Sequence, residues 1–479
     1  MTDSPATEGA RTDTYDVIVL GGGAVGEVAA QFAVANSDRT AAIVENQLLG
    51  GECSYWACMP SKALLRPLEV ANAARHLDGV SVADGVDATA LMARRDTWVS
   101  HYSDSSQRKW AADTGIDVVT GTGRLAGEKT VEVSTGDGPR TLHARHAVIV
   151  ATGSTASVPA MFADVAPWTS RDATGVREVP ESLIIIGGGV VACEAATWMN
   201  ALGSAVTMLV RSTLLGTLDD FAGEAVAEAL RNAGVEIRLG VDITAASRGS
   251  VDEGGGATGV PHGGPVTVTV DGQDITAAEI LVAAGRHRTV DDIGLDTVGV
   301  TDPSHVSAPE GYDGVDWLYS VGDASFGPML THWGKYQSRI VGQRIAAVAE
   351  GRTPTTVPAA PPVPQVVFTD PEVASTGLSE KEARSAYDSV TVITKPITAA
   401  AGVGLLRDDA SGTAQIVVDD ATRTLVGATF VGPEAGELIH AATVAIVGKI
   451  TVDDLWHAVP SYPTPAEIYL RLLEGYFGY

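Results

Sequence analysis

The feature that most constrains the fold is a strand–glycine turn–helix–strand pattern that occurs twice. Residues 21–26 (GGGAVG) follow one apolar, strand-like run, and residues 187–192 (GGGVVA) follow another. Gly21 to Glu45 and Gly187 to Arg211 both span 24 positions, so the two copies align without a gap. Such βαβ units are typical of dinucleotide-binding folds, because the glycines let the backbone approach a pyrophosphate at a helix N-terminus. The sequence therefore predicts two Rossmann-like domains.

The residue that ends the second strand of each copy predicts which cofactor each unit binds. Glu45 ends the first copy, where a carboxylate holds the adenosine ribose hydroxyls of a dinucleotide. Arg211 ends the second copy, and a guanidinium binds a 2′-phosphate that a carboxylate would repel. We expect FAD at the first unit and NADPH rather than NADH at the second, with Ser212 adding a hydrogen bond to the phosphate. NADH remains possible if Arg211 is a solvated surface arginine.

Two of the three cysteines, Cys53 and Cys58, lie close together just after the first nucleotide-binding unit, in the segment GGECSYWACMPSK. Thiols this close beside a cofactor site predict a pair that opens and closes as a disulfide. The alternatives are half of a zinc site or two inert buried thiols. Zinc requires about four ligands, and the third cysteine, Cys193, belongs to the second glycine-rich motif, so no metal site is predicted.

Charge and hydropathy argue against several classes of partner. The net charge of −27 disfavours nucleic acid or an anionic membrane as a main partner. No apolar run reaches the length of about 18 residues that a membrane span requires, and the N-terminal residues contain no apolar signal region. Three cysteines in 479 residues are typical of a reducing compartment, and we expect a cytoplasmic protein.

The remaining patterns describe the organisation of the chain. An acidic, glycine-rich segment at 251–264 is expected to be an exposed hairpin or loop, and a proline-rich segment at 353–364 marks a boundary. Beyond this boundary, alternating apolar and polar residues predict antiparallel strands, followed by helices. The predicted fold class is α/β, with two Rossmann-like domains, for FAD and NAD(P), and a C-terminal α+β domain.

Together these motifs resemble the FAD-dependent pyridine nucleotide–disulfide oxidoreductases, which include dihydrolipoamide dehydrogenase, glutathione reductase, mercuric reductase and soluble transhydrogenase. The resemblance covers residues 14–479 and keeps the family's order of motifs. It implies a homodimeric flavoenzyme whose active site is completed by the partner subunit's C-terminal segment. It also implies a disordered leader at 1–13, an FAD domain in two parts at 14–157 and 285–355, an NAD(P) domain at 158–284 and a dimerisation domain at 356–479.

The resemblance further implies roles for individual residues. Cys53 and Cys58 would form the redox disulfide, with Cys58 against the flavin and Cys53 attacking the substrate, and Lys62 near flavin N5 would pair with Glu194. The positions matching FAD contacts are Gly21, Gly23, Gly26, Glu45, Gly51, Lys62, Thr152, Gly153, Arg286, Gly322, Asp323, Thr331 and His332. The positions matching NADP contacts are Gly187, Gly189, Ala192, Glu194, Arg211, Ser212 and Gly285.

The chain departs from the family near its C-terminus. Disulfide reductases of the family carry a His-Pro-Thr segment with a glutamate beyond it, and the histidine shuttles the proton of thiol–disulfide exchange. Here Tyr462 stands at the position of the histidine and Glu467 at that of the glutamate. A phenol with a pKa of about 10 can donate a proton but is a poor base at pH 7. His457 is the alternative base, although a surface or structural histidine is the simpler interpretation.

The sequence thus predicts an NADPH-dependent flavoenzyme that reduces a small disulfide or related sulfur substrate through Cys53 and Cys58. The alternative is reduction of a quinone or another acceptor directly by reduced FAD, or transhydrogenase-like activity, with the cysteine pair auxiliary. Mercuric reduction is disfavoured, because the chain ends EGYFGY without a C-terminal cysteine pair. A non-catalytic FAD-binding scaffold is the third possibility, and the intact cysteines, Lys62 and Glu194 argue against it.

Overall fold

The computed structural model describes residues 11–82, 85–252, 256–302, 311–312, 314–356 and 361–479. Its contacts divide the chain into two units, each made of three separate stretches. The first unit consists of Met1–Met59, Val99–Thr155 and Arg286–Ala359. The second consists of Pro60–Trp98, Ala156–Gly285 and Ala360–Tyr479.

Strands and helices alternate along the described residues. The strands are β1 Arg11–Leu20, β2 Ala41–Glu45, β3 Ile116–Thr120, β4 Thr122–Leu125, β5 Thr130–Thr135, β6 Gly138–Val150, β7 Ser154–Ala156, β8 Ser182–Ile186, β9 Ala205–Val210, β10 Glu236–Leu239, β11 Ile243–Arg248, β12 Val266–Val270, β13 Gln273–Ala277, β14 Glu279–Val282, β15 Arg286–Arg288, β16 Leu318–Ser320, β17 Gln365–Val367, β18 Val373–Gly377, β19 Val390–Pro396, β20 Thr413–Asp419 and β21 Thr424–Val431. The helices are α1 Ala24–Val34, α2 Gly51–Tyr55, α3 Cys58–Arg75, α4 Ala88–Trp98, α5 Ser105–Asp113, α6 Ser170–Thr174, α7 Val190–Ala201, α8 Asp220–Asn232, α9 Thr331–Ala349, α10 Glu380–Ala386, α11 Ala401–Gly404, α12 Ala435–Gly448, α13 Val452–Leu455 and α14 Ile468–Phe477.

The first unit is organised around one sheet with the order β3–β2–β1–β6–β5–β4, in which β16 also pairs with β6. Strands β3, β2, β1, β6 and β16 run parallel, whereas β5 pairs antiparallel with both of its neighbours, β6 and β4. Val17, Ile18 and Val19 of β1 are all fully buried, as expected for a parallel strand covered on both faces. Helices α1 and α9 pack together on one face, where a Cβ on Gly342 would lie only 2.6 Å from the Cβ of Phe32.

The second unit contains the parallel sheet β10–β9–β8–β14, with α7 and α8 on one face and the antiparallel strands β11–β12–β13 on the other. Its C-terminal part is the antiparallel sheet β17–β18–β21–β20–β19, against which α12 and α14 pack. None of the described helices is both long and apolar enough to cross a membrane.

One bound differs from the sequence expectation. Strand β1 begins at Arg11, inside the predicted leader, because residues 11–15 pair with residues 140–144 of β6. Residues 1–10 of that leader lie outside the described residues. The antiparallel strands expected after the proline-rich segment begin with β17 and β18, which pair with each other.

The glycine-rich segment 251–264 differs more strongly, because its described part is anchored in the second unit. His262 is only 7% exposed, with Nδ1 2.9 Å from the Ala166 carbonyl oxygen and Nε2 3.5 Å from a carboxylate oxygen of Asp172. The His262 backbone N–H donates to the carboxylate of Glu279, which also pairs with Arg248. The side chains of Glu279 and Arg248 are both fully buried. The expectation of an exposed loop is therefore wrong at His262, since a buried polar cluster holds it.

Candidate active site

The first glycine-rich turn lies between β1 and α1. Gly21 has a φ of +100°, and a Cβ on Gly26 would lie 2.0 Å from the carbonyl oxygen of Gly21, so both positions require glycine. A Cβ on Gly23, the residue before α1, would meet no described atom within 4 Å. The turn therefore packs tightly at Gly26 and leaves space at Gly23, where the helix N-terminus can receive a phosphate.

Glu45 lies against this turn. Its Oε2 accepts a hydrogen bond from the Gly22 N–H at 2.8 Å, and its Oε1 accepts one from the Gln47 N–H at 2.7 Å. Two backbone donors thus fix the orientation of the carboxylate. Each oxygen keeps a further lone pair that can accept a ribose hydroxyl.

The start of α2 is fastened to the same turn. The Gly50 N–H donates to the Gly22 carbonyl at 2.7 Å, and the Ala24 N–H donates to the Gly50 carbonyl at 3.1 Å. Gly51 has a φ of +60°, and a Cβ there would lie 2.7 Å from the Cα of Gly23. The helix that carries Cys53 is therefore held directly beside the predicted phosphate site.

Other predicted cofactor residues of the first unit meet in a polar network that sequence reasoning described only in part. The Ser154 hydroxyl donates to Asp323 at 2.5 Å and accepts from the Arg286 guanidinium at 2.7 Å. Arg286 also lies 3.9 Å from the carboxylate of Glu52. Ser154 and Glu52 were not predicted, since a serine and an acid beside a cofactor motif carry no periodic signal.

Three further predicted positions lie around this network. The Thr152 hydroxyl donates to the Thr289 carbonyl. Gly153 has a φ of +74°, and a Cβ there would meet no described atom within 4 Å. The Gly322 N–H donates to the amide oxygen of the buried Gln337 at 2.9 Å, a second partner that the sequence did not reveal.

The cysteine pair spans a break between two helices. Cys53 lies in α2, which ends at Tyr55, whereas Cys58 is the first residue of α3. Trp56 between them has a φ of −133°, outside the helical range, so the pair does not share one regular helix. Cys53 and Cys58 are not joined by a disulfide, and Cys58 Sγ lies 3.3 Å from the hydroxyl oxygen of Thr331, the first residue of α9.

The environment of Cys53 favours its protonated form. The hydrogen bond with Cys58, burial and the charge of Cys58 raise the pKa of the Cys53 thiol well above its usual range. Thr331 and the charge of Lys335 act in the opposite direction. The thiol form of Cys53 is therefore favoured next to Cys58. A group that removes the proton is required to convert Cys53 to a nucleophilic thiolate.

Lys62 and Glu194 form an ion pair inside the second unit. Lys62, on α3, lies with Nζ 2.7 Å and 2.9 Å from the two carboxylate oxygens of Glu194 on α7. The Glu194 side chain is 4% exposed and also accepts the Phe368 N–H at 3.0 Å. Nζ lies 4.5 Å from the ring centre of Phe368. The lysine is thus held by a buried carboxylate and an aromatic face.

The second glycine-rich turn repeats the geometry of the first. Gly187 has a φ of +121°, while a Cβ on Gly189 would meet no described atom within 4 Å. Ala192 is fully buried in α7. Gly285, after β14, has a φ of +110° and is also open on its Cβ side. The space before α7 can therefore receive a second dinucleotide.

Arg211 and Ser212 follow β9 and are both exposed. No hydrogen bond or ion pair joins Arg211 to another described residue. The guanidinium is therefore available to a ligand beside the second glycine-rich turn.

The C-terminal segment of the second unit presents Tyr462 to solvent. This side chain is 76% exposed and hydrogen-bonds to no other described residue. His457 and His332 are exposed as well. Glu467 is 4% exposed, pairs with Arg471 and has a buried Oε2 without a described partner.

The residues of the first unit fit a flavin dinucleotide. The space above Gly23 and Gly153 would be filled by a Cβ at either position, and the fixed Glu45 carboxylate and the Ser154–Asp323–Arg286 network supply acceptors and a cation around it. Glycine-lined space, a helix N-terminus and a ribose acceptor are the elements that a dinucleotide requires.

Comparison with known families covers almost the whole chain. Residues 15–351 match the family described as pyridine nucleotide-disulphide oxidoreductase, and residues 363–472 match the dimerisation domain described for the same family. The mercuric reductase of Shigella flexneri is 32% identical over 470 residues, which cover 96% of this chain and 79% of that protein. The dihydrolipoyl dehydrogenase of Halobacterium salinarum is 30% identical over 477 residues, which cover 97% of this chain and 96% of that protein.

Solved structures show the same fold. LpdA from Mycobacterium tuberculosis has a TM-score of 0.82 at 21% identity, covering 97% of this chain and 99% of that one. The HOCl-induced flavoprotein disulfide reductase RclA from Escherichia coli has a TM-score of 0.79 at 22% identity, covering 96% and 99%. The predicted fold class, α/β with dinucleotide-binding domains and a C-terminal dimerisation domain, is confirmed.

Proposed function

We propose the redox residues and the acceptor of this chain from its family: it belongs to the pyridine nucleotide-disulphide oxidoreductases and is an FAD-dependent oxidoreductase driven by NAD(P)H. Cys53 and Cys58 form the redox-active disulfide, NADPH is the preferred donor, and the acceptor is a small disulfide or a related sulfur compound. The observation that carries the proposal is the position of the two thiols: Cys53 lies on α2, which is fastened to the first glycine-rich turn, and Cys58 begins the next helix, α3.

The first unit would hold FAD through residues that the sequence singled out. Gly23 and Gly26 shape the phosphate site, Glu45 receives the ribose, and Asp323 with Arg286 lines the polar network beside it. Bound FAD supplies a two-electron carrier that accepts hydride from a nicotinamide.

The two thiols have separate tasks in reducing an acceptor R–S–S–R′. The Cys53 thiolate attacks one sulfur, forming a mixed disulfide and releasing R–S⁻, which takes up a proton. The Cys58 thiolate then attacks Cys53 Sγ, which forms the protein disulfide and releases R′–S⁻, also protonated. Two electrons and two protons pass from the dithiol to the acceptor. A reducing compartment such as the cytoplasm would keep the dithiol available.

The Lys62–Glu194 pair holds the lysine on the helix that begins at Cys58. A buried carboxylate at 2.7 Å pairs with the Lys62 ammonium and fixes its position. We propose that Lys62 offers this positive charge to the reduced cofactor. The Phe368 ring and N–H hold the other side of the pair in place.

NADPH preference rests on Arg211. The guanidinium is exposed and joined to no other described residue, at the strand end where Glu45 stands in the first unit. A planar guanidinium binds a phosphate through two parallel hydrogen bonds. The hydroxyl of Ser212 would add a donor to the same phosphate.

The match to a dimerisation domain supports a homodimer. We propose that the C-terminal segment of one subunit completes the active site of the other. Tyr462 is 76% exposed and unbonded to other described residues, and the buried Oε2 of Glu467 has no described partner. In this arrangement the Tyr462 hydroxyl donates a hydrogen bond or proton to the leaving thiolate.

Replacing one redox cysteine tests the assignment. Cys58→Ser is expected to abolish NADPH-driven reduction of small disulfides, and titration of the wild type with NADPH should give a long-wavelength thiolate–flavin absorbance that the variant lacks. Cys193→Ser is the matched control, because this third thiol is fully buried in the second unit. If Cys58→Ser turns over disulfides at the wild-type rate, the assignment is wrong. Retained turnover of quinones would then favour direct reduction of an acceptor by reduced FAD.

A further inference from the structure

A cavity of about 150 Å³ lies in the first unit, away from the glycine-rich turn, and the proposed function does not use it. Trp317, one of its lining residues, immediately precedes β16, whereas Gly322 of the predicted cofactor site follows that strand. The extended chain between these two residues spans about 16 Å. The cavity is therefore separate from the space that we assign to FAD.

The buried part of the cavity lining, its floor, is apolar. Ala147, Trp317, Tyr319 and Ile345 form this floor, and each is at most 8% exposed. The Tyr319 hydroxyl donates to the Asp316 carbonyl at 3.0 Å, so this hydroxyl already has a partner. An apolar cavity of about 150 Å³ is large enough to bind benzene. The floor therefore fits one aromatic ring, with two aromatic side chains to pack against it.

The rim of the cavity carries basic side chains, two of which come from consecutive positions of β6. Arg145 and His146 both line the cavity, although neighbouring side chains of a regular strand point to opposite faces. Residues 15–17 of β1 pair with residues 144–147 of β6, so β6 contains one extra residue, a bulge that redirects side chains. Arg145 Nη1 and His146 Nε2 approach the same oxygen of Asp16, at 3.2 Å and 3.7 Å. The bulge thus brings both basic groups to one place.

Lys129 is the third basic residue of the lining. It lies in the turn between β4 and β5, where its carbonyl accepts the Ala144 N–H at 2.8 Å, so the turn is fixed to β6. Its φ is +51°, in the left-handed region where glycine is the least strained residue. The Lys129 ammonium makes no ion pair or hydrogen bond with another described residue. Backbone geometry therefore does not explain a lysine at this position, whereas a ligand for its ammonium does.

The charges at the rim favour an anion. Lys129 and Arg145 are cations at neutral pH, and Asp316 is the acid among the lining residues. Asp16 is not part of the lining, and its second oxygen accepts the N–H and the hydroxyl of Thr40, at 2.8 Å and 3.0 Å. The lining residues therefore carry a net positive charge, in a chain whose net charge is −27.

We propose that this cavity binds a small aromatic carboxylate, a planar monoanion with one six-membered ring. The ring packs on Trp317, Tyr319 and Ile345, and the carboxylate faces the Lys129 ammonium and the Arg145 guanidinium. Inorganic phosphate fits less well, because some of its oxygens would face the apolar floor without a donor. A neutral aromatic molecule would leave the Lys129 ammonium without an anion.

Isothermal titration calorimetry of the FAD-loaded, full-length protein tests the site with three probes. Benzoate carries the ring and the charge, benzamide the ring alone, and inorganic phosphate the charge alone. Benzoate should bind at one molecule per chain with a Kd of about 1 mM or below, the scale expected for a ligand of this size. Benzamide and phosphate should each bind about tenfold more weakly or less, because each lacks one part of the interaction. Absence of benzoate binding, or equal or tighter binding of either other probe, would overturn the proposal.

Single substitutions locate the bound benzoate. Lys129→Met should weaken benzoate binding by about tenfold, the scale of one charge-assisted contact, and leave benzamide unchanged. Val348 of α9 also lines the cavity and is 57% exposed, so Val348→Trp should fold normally and close the cavity to benzoate. Lys109→Met is the matched control, because it removes the same charge from the same unit at a lysine that pairs with Asp113 outside the cavity. Benzoate should bind to this control as to the wild type.

The readout does not depend on catalysis. The flavin absorbance of the same samples shows that FAD is still bound, so a weaker affinity in a variant is not caused by loss of the cofactor. Wild-type benzoate affinity in Lys129→Met or in Val348→Trp would refute the site, and so would an equal loss in Lys109→Met. These results leave the proposed disulfide reduction untouched, because Lys129 and Val348 take no part in it.

Discussion

Alanine at two glycines of the first turn should separate folding from cofactor binding. A Cβ on Gly26 would lie 2.0 Å from the Gly21 carbonyl oxygen, whereas a Cβ on Gly23 would meet no described atom within 4 Å. Gly26→Ala therefore collides with the protein itself. Gly23→Ala instead places a methyl group in the space that we assign to the dinucleotide phosphates.

The expected magnitudes follow from these contacts. The Gly26 overlap is more than about 1 Å closer than an optimal contact, so the backbone must move, at a cost of about 3 kcal/mol or more. Gly23 has φ −66° and ψ 172°, a conformation open to alanine, and its replacement should change the free energy of unfolding by less than about 1 kcal/mol. The added methyl group at Gly23 should weaken FAD binding by about 2 kcal/mol, which is about 30-fold in Kd.

The assay compares stability and FAD affinity in the two variants. Thermal unfolding followed by circular dichroism gives the first quantity, and titration of FAD-stripped protein followed by flavin fluorescence gives the second. Gly26→Ala should unfold at a clearly lower temperature, whereas Gly23→Ala should unfold like the wild type but bind FAD weakly. Wild-type FAD affinity in Gly23→Ala, or wild-type stability in Gly26→Ala, would refute the reasoning.

Three further predictions concern single side chains. Burial lowers the pKa of His262, but the interactions with Asp172 and the Ala166 carbonyl raise this pKa overall. The stability that the His262 side chain adds is therefore present below its unfolded pKa of about 6.5. This stability is lost as the pH rises through the pKa of His262 in the folded protein. His262→Gln should therefore cost about 2 kcal/mol near pH 6 and progressively less at alkaline pH, as thermal melts across a pH series will show; a constant difference would contradict the assignment. Glu194→Gln should lower stability by about 1 kcal/mol, a modest loss because the Lys62 side chain is 33% exposed, and a melting temperature equal to wild type would speak against it. Arg211→Ala should reduce kcat/KM for NADPH by about tenfold or more, the scale of one charge-assisted phosphate contact, and leave NADH unchanged; an unaltered NADPH preference would exclude Arg211 as the phosphate ligand.

The parts of the site that could be predicted from sequence are those fixed by short-range backbone geometry. Gly21 must be glycine because its φ is +100°, and the same requirement recurs at Gly187, with a φ of +121°, at the matching position of the second copy. The position of Glu45 could be predicted because neighbouring parallel strands end at the same edge of a sheet, where the glycine-rich turn also lies. The match between the two glycine-rich turns has the same origin.

The parts that were missed depend on contacts between distant segments. Ser154, Gln337 and His262 each find their partners through tertiary packing, so nothing local in the sequence distinguishes them from surface residues.

The alternation of the two units along the chain has a consequence for biosynthesis. The first unit lacks its last stretch until residue Ala359 has been made, and the second lacks its last stretch until Tyr479. Residues 156–285 lie between the second and third stretches of the first unit, so at about 5–20 residues per second roughly 7 to 26 s pass between the synthesis of these two stretches. The nascent chain therefore exposes apolar strands such as β1 before their full cover exists, and it should depend on chaperones during synthesis more than a protein whose units follow one another in sequence.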